Sequence, residues 1–220
     1  MEIVLWLFTI GYFFQLGASG ILIYKIWKQR SINGLCWDTQ VIFFLGSFSR
    51  CLWLNETRLR NLPLAHFELY CNTILLLICV YLCYKFRYTA IHSAPKYLKW
   101  YSVVFCCIIL SFFFHPGNKN KYYLSMQMLV SFTMFSESAG LLPQFAVMRK
   151  SKEIEAMTSK YIVNLGVARL FRLIFWLQMY WSGDTFYSLI VADFIHTFIL
   201  ADFSLIYFKS LKSGKKLVLP

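Results

Sequence analysis

Seven apolar runs, Ile3–Tyr24, Thr39–Leu54, Leu64–Tyr84, Tyr97–His115, Tyr122–Val147, Tyr161–Trp181 and Phe186–Phe208, fill most of the chain and leave no connection long enough for a separate domain. In hydrocarbon every backbone amide and carbonyl must be satisfied inside the structure, and runs of this length manage that as helices. A span takes ~20 apolar residues, so the second run is short and the fifth long. The reading is all-α: a polytopic membrane protein with a seven-helix transmembrane domain over residues 1–208 and a short basic tail over 209–220. With 59% apolar residues and a mean hydropathy of +0.56, composition excludes an ordinary soluble domain. The length of the first run and its lack of a preceding basic stretch favour an uncleaved first helix over a secretory signal.

Charge placement orients the bundle. Fifteen Lys and Arg residues fall in alternate connections and the tail (Lys25–Arg30, Lys85–Lys99, Arg149–Lys160, Lys209–Lys216), against four, Arg58, Arg60, Lys119 and Lys121, in the others. The positive-inside rule then predicts a lumenal N-terminus and a cytosolic tail. The net charge of +12 is on this reading a topology signal and a basic face toward the lipid bilayer, with no module for nucleic acid. Asn55-Glu56-Thr57 has the pattern of a glycosylation acceptor in a lumenal loop, set close to the second helix.

The remaining basic residues, Arg50, Arg169 and Arg172, lie inside the runs, as does Glu137. An ionised side chain in hydrocarbon costs about 2.5–3.5 kcal/mol, so each is expected to face a partner or a polar cavity. Taken together they predict a positive interior suited to a carboxylate, held by forked guanidinium hydrogen bonds. The alternative is that Glu137 and Arg169 only tie the fifth helix to the sixth while Arg172 snorkels to the lumenal interface. Asp193 and Asp202, nine residues apart on the seventh run, fall on opposite helix faces and form no paired carboxylate site. Pro143 predicts a kink. The seven cysteines read as small hydrophobes, and the four histidines, His66, His92, His115 and His196, lack any metal-ligand spacing. No nucleophile, base and orienting group can be assembled, so neither an enzyme nor a cofactor site is expected.

Leu45-Gly46 followed by Arg50 parallels Leu165-Gly166 followed by Arg169, each after a basic turn. The pattern suits two parallel three-helix units joined by a linking fourth helix, the SWEET or PQ-loop arrangement.

KIWKQRSINGL after the first helix, Arg50 in the second, YKFRYTA after the third, ESAGLLPQ in the fifth, EAMTSKYIVNLGVAR entering the sixth and the closing LKSGKKLVLP together resemble the KDEL receptor family. The resemblance implies a receptor that binds C-terminal Lys/His-Asp-Glu-Leu retention signals of escaped ER-lumen proteins in the acidic Golgi. It would release them in the ER and travel between the two membranes by coat-protein-I machinery. It implies that Arg50 takes the signal's terminal carboxylate, that Glu137 and Arg169 form a polar pair at the cavity floor and that Trp176 lines the wall. It also implies that Lys212, Lys215 and Lys216 form the trafficking tail, and it includes the seventh-helix acid Asp202. Several positions depart from the family pattern. Phe8 and Gln15 stand in the first helix where the family has arginine and histidine, and Arg50-Cys51-Leu52-Trp53 lacks an expected aspartate. Gln127, Val130, Ala168, Arg172, Phe175 and Met179 also differ. Two other functions stay open: a relative that cycles between ER and Golgi without binding signals, and a SWEET-like small-solute carrier.

Overall fold

The computed structural model describes residues 2–54, 63–115, 126–150, 156–181 and, between 190 and 201, all but 192, 196 and 199. Asn55-Glu56-Thr57, His196, Asp202 and the tail lysines Lys212, Lys215 and Lys216 lie outside the described residues. The helices are α1 (Glu2–Gln29), α2 (Trp37–Leu54), α3 (Pro63–Lys85), α4 (Trp100–Phe113), α5 (Met126–Ala139), α6 (Leu142–Lys150) and α7 (Ala156–Trp181). The described residues between 190 and 201 are also helical and are called α8. There is no strand among the described residues.

The fifth apolar run is therefore two helices. The break falls at Gly140 and Leu141, and Pro143 sits in the first turn of α6, where a missing N–H costs little. A Cβ on Gly140 would stand 2.7 Å from the Ser136 carbonyl and 2.8 Å from the Phe43 ring, so only glycine allows this approach.

Polarity is inside out relative to a soluble protein. The outer surface carries exposed Phe67, Ile74, Leu77 and Tyr81 of α3, Phe105 and Ile108 of α4, and Leu170, Ile174 and Leu177 of α7. The interior holds Arg50, Glu68, Asn72, Glu137, Arg169, Arg172 and Asp193. Lipid is the solvent that makes both halves of this arrangement favourable. Taken helix by helix, His66–Lys85 is long and apolar enough to cross a membrane, and Trp100–Phe113 is apolar but shorter. Interior polar side chains lower the average of α2, α5 and α7, which carry most of the buried charge.

Packing follows the two-unit plan. α1 packs on α7, α2 on α5, α3 on both α1 and α2, and α4 on α5. A two-fold exchange that maps the first helix of one unit onto the first of the other turns the α1–α7 pair into the α5–α2 pair, so the contacts come in related sets. The α2–α5 approach is close because Gly46 faces Ser136: a Cβ on Gly46 would lie 2.5 Å from Ser136 Oγ. Thr133 Oγ1 also donates to the Gly46 carbonyl at 3.2 Å. Gly46→Val is expected to lower the melting temperature of the detergent-purified protein, as overpacking of about 1–3 kcal/mol would. An unchanged melting temperature would show that α2 and α5 are not in tight contact.

At the end bearing the basic turns, one amide of α6 fastens the α1–α2 connection at two points. Gln144 Nε2 donates to the Gly34 carbonyl at 2.7 Å, and its Oε1 accepts from the Cys36 N–H at 2.8 Å. Gly34 has φ +73°, a left-handed turn that suits glycine. Burial pushes the Cys36 thiol up to about 11, so it stays protonated at neutral pH. Lys25 corrects the sequence reading. Counted there as a loop charge, it is fully buried, with its ammonium donating to Thr158 Oγ1 at 2.6 Å and to the Asn33 carbonyl at 3.2 Å.

Candidate functional site: a buried set of arginines and carboxylates

Helical spacing brings the charges together. On α7, Arg169, Arg172 and Trp176 fall at positions i, i+3 and i+7 and share one face. On α5, Thr133, Ser136 and Glu137, followed by Gly140 in the turn, form the face toward α2. Glu137 sits between the two α7 arginines: Arg169 Nη1 donates to Glu137 Oε2 at 2.8 Å, and Arg172 Nη1 donates to the same oxygen. On its other side Arg172 meets α8, where Nη2 donates to Asp193 Oδ1 at 2.8 Å and Nε to the same oxygen at 3.2 Å. Arg169 Nη1 also lies 3.9 Å from Asp193 Oδ1. The result is a closed square of two guanidiniums and two carboxylates.

Arg50 forms a second group on α2. Its guanidinium lies over the Tyr12 ring, 4.1 Å from the centroid, and Nη2 stands 3.7 Å from Glu68 Oε2 on α3. The ring contact is a cation–π arrangement, whereas 3.7 Å is an ion pair beyond hydrogen-bond length. Arg50 Nη1, Glu68 Oε1 and Asn72 Nδ2 are buried and have no hydrogen-bond partner among the described residues. Tyr12 links the two groups, within electrostatic reach of Arg50 and Glu68 on one side and of Arg172 and Glu137 on the other. Gln15 stands one turn along α1 from Tyr12 and is also buried.

Of the residues expected from sequence, Arg50, Glu137 and Arg169 are buried as anticipated, and Glu137 and Arg169 pair. Trp176 lies one turn beyond Arg172, half-buried, with its ring edge-on to Phe175 at 5.2 Å between centroids. Three expectations change. Arg172 is 4% exposed and does not snorkel. Asp193, dismissed as a partner for Asp202, is instead the partner of Arg172. The interior is not positive: Glu68 and Asp193 join Glu137 against Arg50, Arg169 and Arg172, so the described central charges balance three to three. Glu68 was missed, although the argument applied to Glu137 fits it equally, since it is an acid inside an apolar run.

A sizeable groove among the described residues lies elsewhere. A groove of about 730 Å³ runs between α4, α5 and α8, with Val103, Cys107, Leu110, Phe135, Val191 and Ile195 among its walls. Its described lining is mainly apolar, with no charged group and with Tyr97, Ser102 and Ser138 as its hydroxyl-bearing residues.

The sequence model of the family described as ER lumen protein retaining receptor matches residues 31–179. Among curated proteins, the chain is 31% identical to the human ER lumen protein-retaining receptor 2 over 94% of each chain. It is 30% identical to the Drosophila melanogaster ER lumen protein-retaining receptor over 91% of this chain and 92% of that one. The Dictyostelium discoideum receptor of that name is 28% identical over 96% of this chain and 97% of its own.

Proposed function

The chain belongs to the ER lumen protein retaining receptor family, and we infer that it captures escaped ER-lumen proteins by their C-terminal retention signals and returns them from the Golgi to the ER. The observation that carries the reading is Arg50. It is a buried guanidinium inside an apolar run with one nitrogen lacking a hydrogen-bond partner among the described residues, facing a carboxylate too far away to hydrogen-bond. A terminal carboxylate would satisfy that nitrogen with a charge-assisted bond. On this reading Glu137 and Arg169 fix the floor of the cavity, held by Arg172 and Asp193, and Trp176 forms part of the wall. The bias of basic residues supports a lumenal N-terminus and a cytosolic tail, in which Lys212, Lys215 and Lys216 would engage coat-protein-I machinery.

The self-contained square favours a second reading in which the protein cycles between ER and Golgi without taking a signal. Binding of a Lys-Asp-Glu-Leu-ended peptide to the purified protein separates the two. Saturable binding that weakens by at least tenfold when the peptide's C-terminus is amidated supports the receptor. No binding of a panel of C-terminal tetrapeptides between pH 5.5 and 7.4 supports the second reading.

A further inference from the structure

The described interior is neutral, and its three carboxylates are held unequally. Glu137 and Asp193 each accept charge-assisted hydrogen bonds from arginine. Among the described residues Glu68 has only the 3.7 Å ion pair to Arg50, and its buried Oε1 has no hydrogen-bond partner among them. A ligand that places a carboxylate on Arg50 brings a fourth negative charge beside three positive ones, and two carboxylates on one guanidinium with no second cation between them disfavour each other's ionised form. Charge balance then requires one positive charge to enter with the ligand. The carboxylate least fixed in its charged form is the one that accommodates it.

Resting on the receptor reading, we propose that Glu68 is a proton-accepting positioning residue: it holds Arg50 in the ligand-free protein and takes up one proton when the ligand's terminal carboxylate replaces it on the guanidinium. In the exchange the Arg50–Glu68 ion pair is lost, an ion pair between Arg50 and the ligand forms, and a solvent proton bonds to a Glu68 oxygen. Counting the three arginines, the three acids and the ligand's terminal carboxylate, the total charge stays at zero. The neutral carboxyl can then donate a hydrogen bond, which the carboxylate could not. Asn72, one turn along α3 on the same face, carries a buried Nδ2 without a partner among the described residues and offers a further donor.

The titratable and charged groups around Glu68 from other helices are Tyr12 of α1, Arg50 of α2 and Glu137 of α5. On α3 itself they are His66 and Tyr70, whose rings lie against each other at 6.4 Å. Glu137 is committed to the square, Tyr12 to the Arg50 cation, and His66 is only partly buried.

The test is calorimetric titration of the full-length protein with a Lys-Asp-Glu-Leu-ended peptide at pH 5.5 and 7.4, in buffers of different ionisation heat. The parent is expected to bind more tightly as pH falls, by up to about tenfold per pH unit, with uptake of about one proton per peptide. Glu68→Gln, which mimics the protonated carboxyl, is expected to bind at both pH values with the parent's acid affinity and no proton uptake. A parent slope retained in Glu68→Gln would overturn the proposal and move the proton to another group. Should that variant not fold, proton uptake by the parent decides: about one proton with the free C-terminus supports the proposal, and none overturns it. Peptide binding without proton linkage sinks this proposal alone, whereas a parent that binds no peptide at either pH sinks the receptor reading with it.

Discussion

Glu137→Gln is expected to cost about 3–5 kcal/mol of stability, the usual result of removing one member of a buried ionic set. Arg169 and Arg172 would then share Asp193 alone, and the Arg169–Asp193 distance of 3.9 Å gives no direct hydrogen bond. Adding Arg169→Gln should recover at least half of the loss, because it leaves the intact Arg172–Asp193 pair and a neutral interior. The converse double change, Asp193→Asn with Arg172→Gln, leaves the 2.8 Å Arg169–Glu137 pair and should recover similarly. Melting curves of the singles and doubles in one detergent give the coupling directly. Strict additivity would show that the square is not an energetic unit.

Arg50→Ala is expected to remove peptide binding, a loss of about 2–5 kcal/mol, since a desolvated charge pair would lose one side. The single change also strands Glu68, so lost binding alone would not separate recognition from folding. The double variant Arg50→Ala with Glu68→Gln restores charge balance and should recover melting temperature without recovering affinity. Arg50→Lys should bind weakly, because an ammonium cannot present the two-pronged donor geometry of a guanidinium. A double variant that binds as well as the parent would place the carboxylate contact elsewhere.

The residues legible in the sequence were those for which cost alone carries the argument. Arg50, Glu137 and Arg169 stand out because charge in an apolar run demands compensation, and the structure buries all three. Which charge compensates which depends on how helices far apart in sequence face one another. Arg172 and Asp193 are twenty-one residues apart and Arg50 and Glu68 eighteen, across separate helices in both cases. Spacing within one helix could reject an Asp193–Asp202 pair but could not bring Asp193 to Arg172. The α5–α6 break shows the same limit. Pro143 marked the irregular region, but the interruption falls at Gly140 and Leu141, where the Phe43 ring and the Ser136 carbonyl crowd Gly140.

The square also has a place in time. A chain enters the membrane from its N-terminus, so Glu137 arrives first, the two arginines of α7 next, and Asp193 last. Between the last two events the bilayer holds two guanidiniums against one local carboxylate, at a cost of about 2.5–3.5 kcal/mol for an unmatched charge. α7 alone is therefore expected to insert less stably than α7 followed by α8, which delivers the second acid. A chain cut short before Asp193 is expected to hold α7 in the membrane less firmly than one that reaches α8.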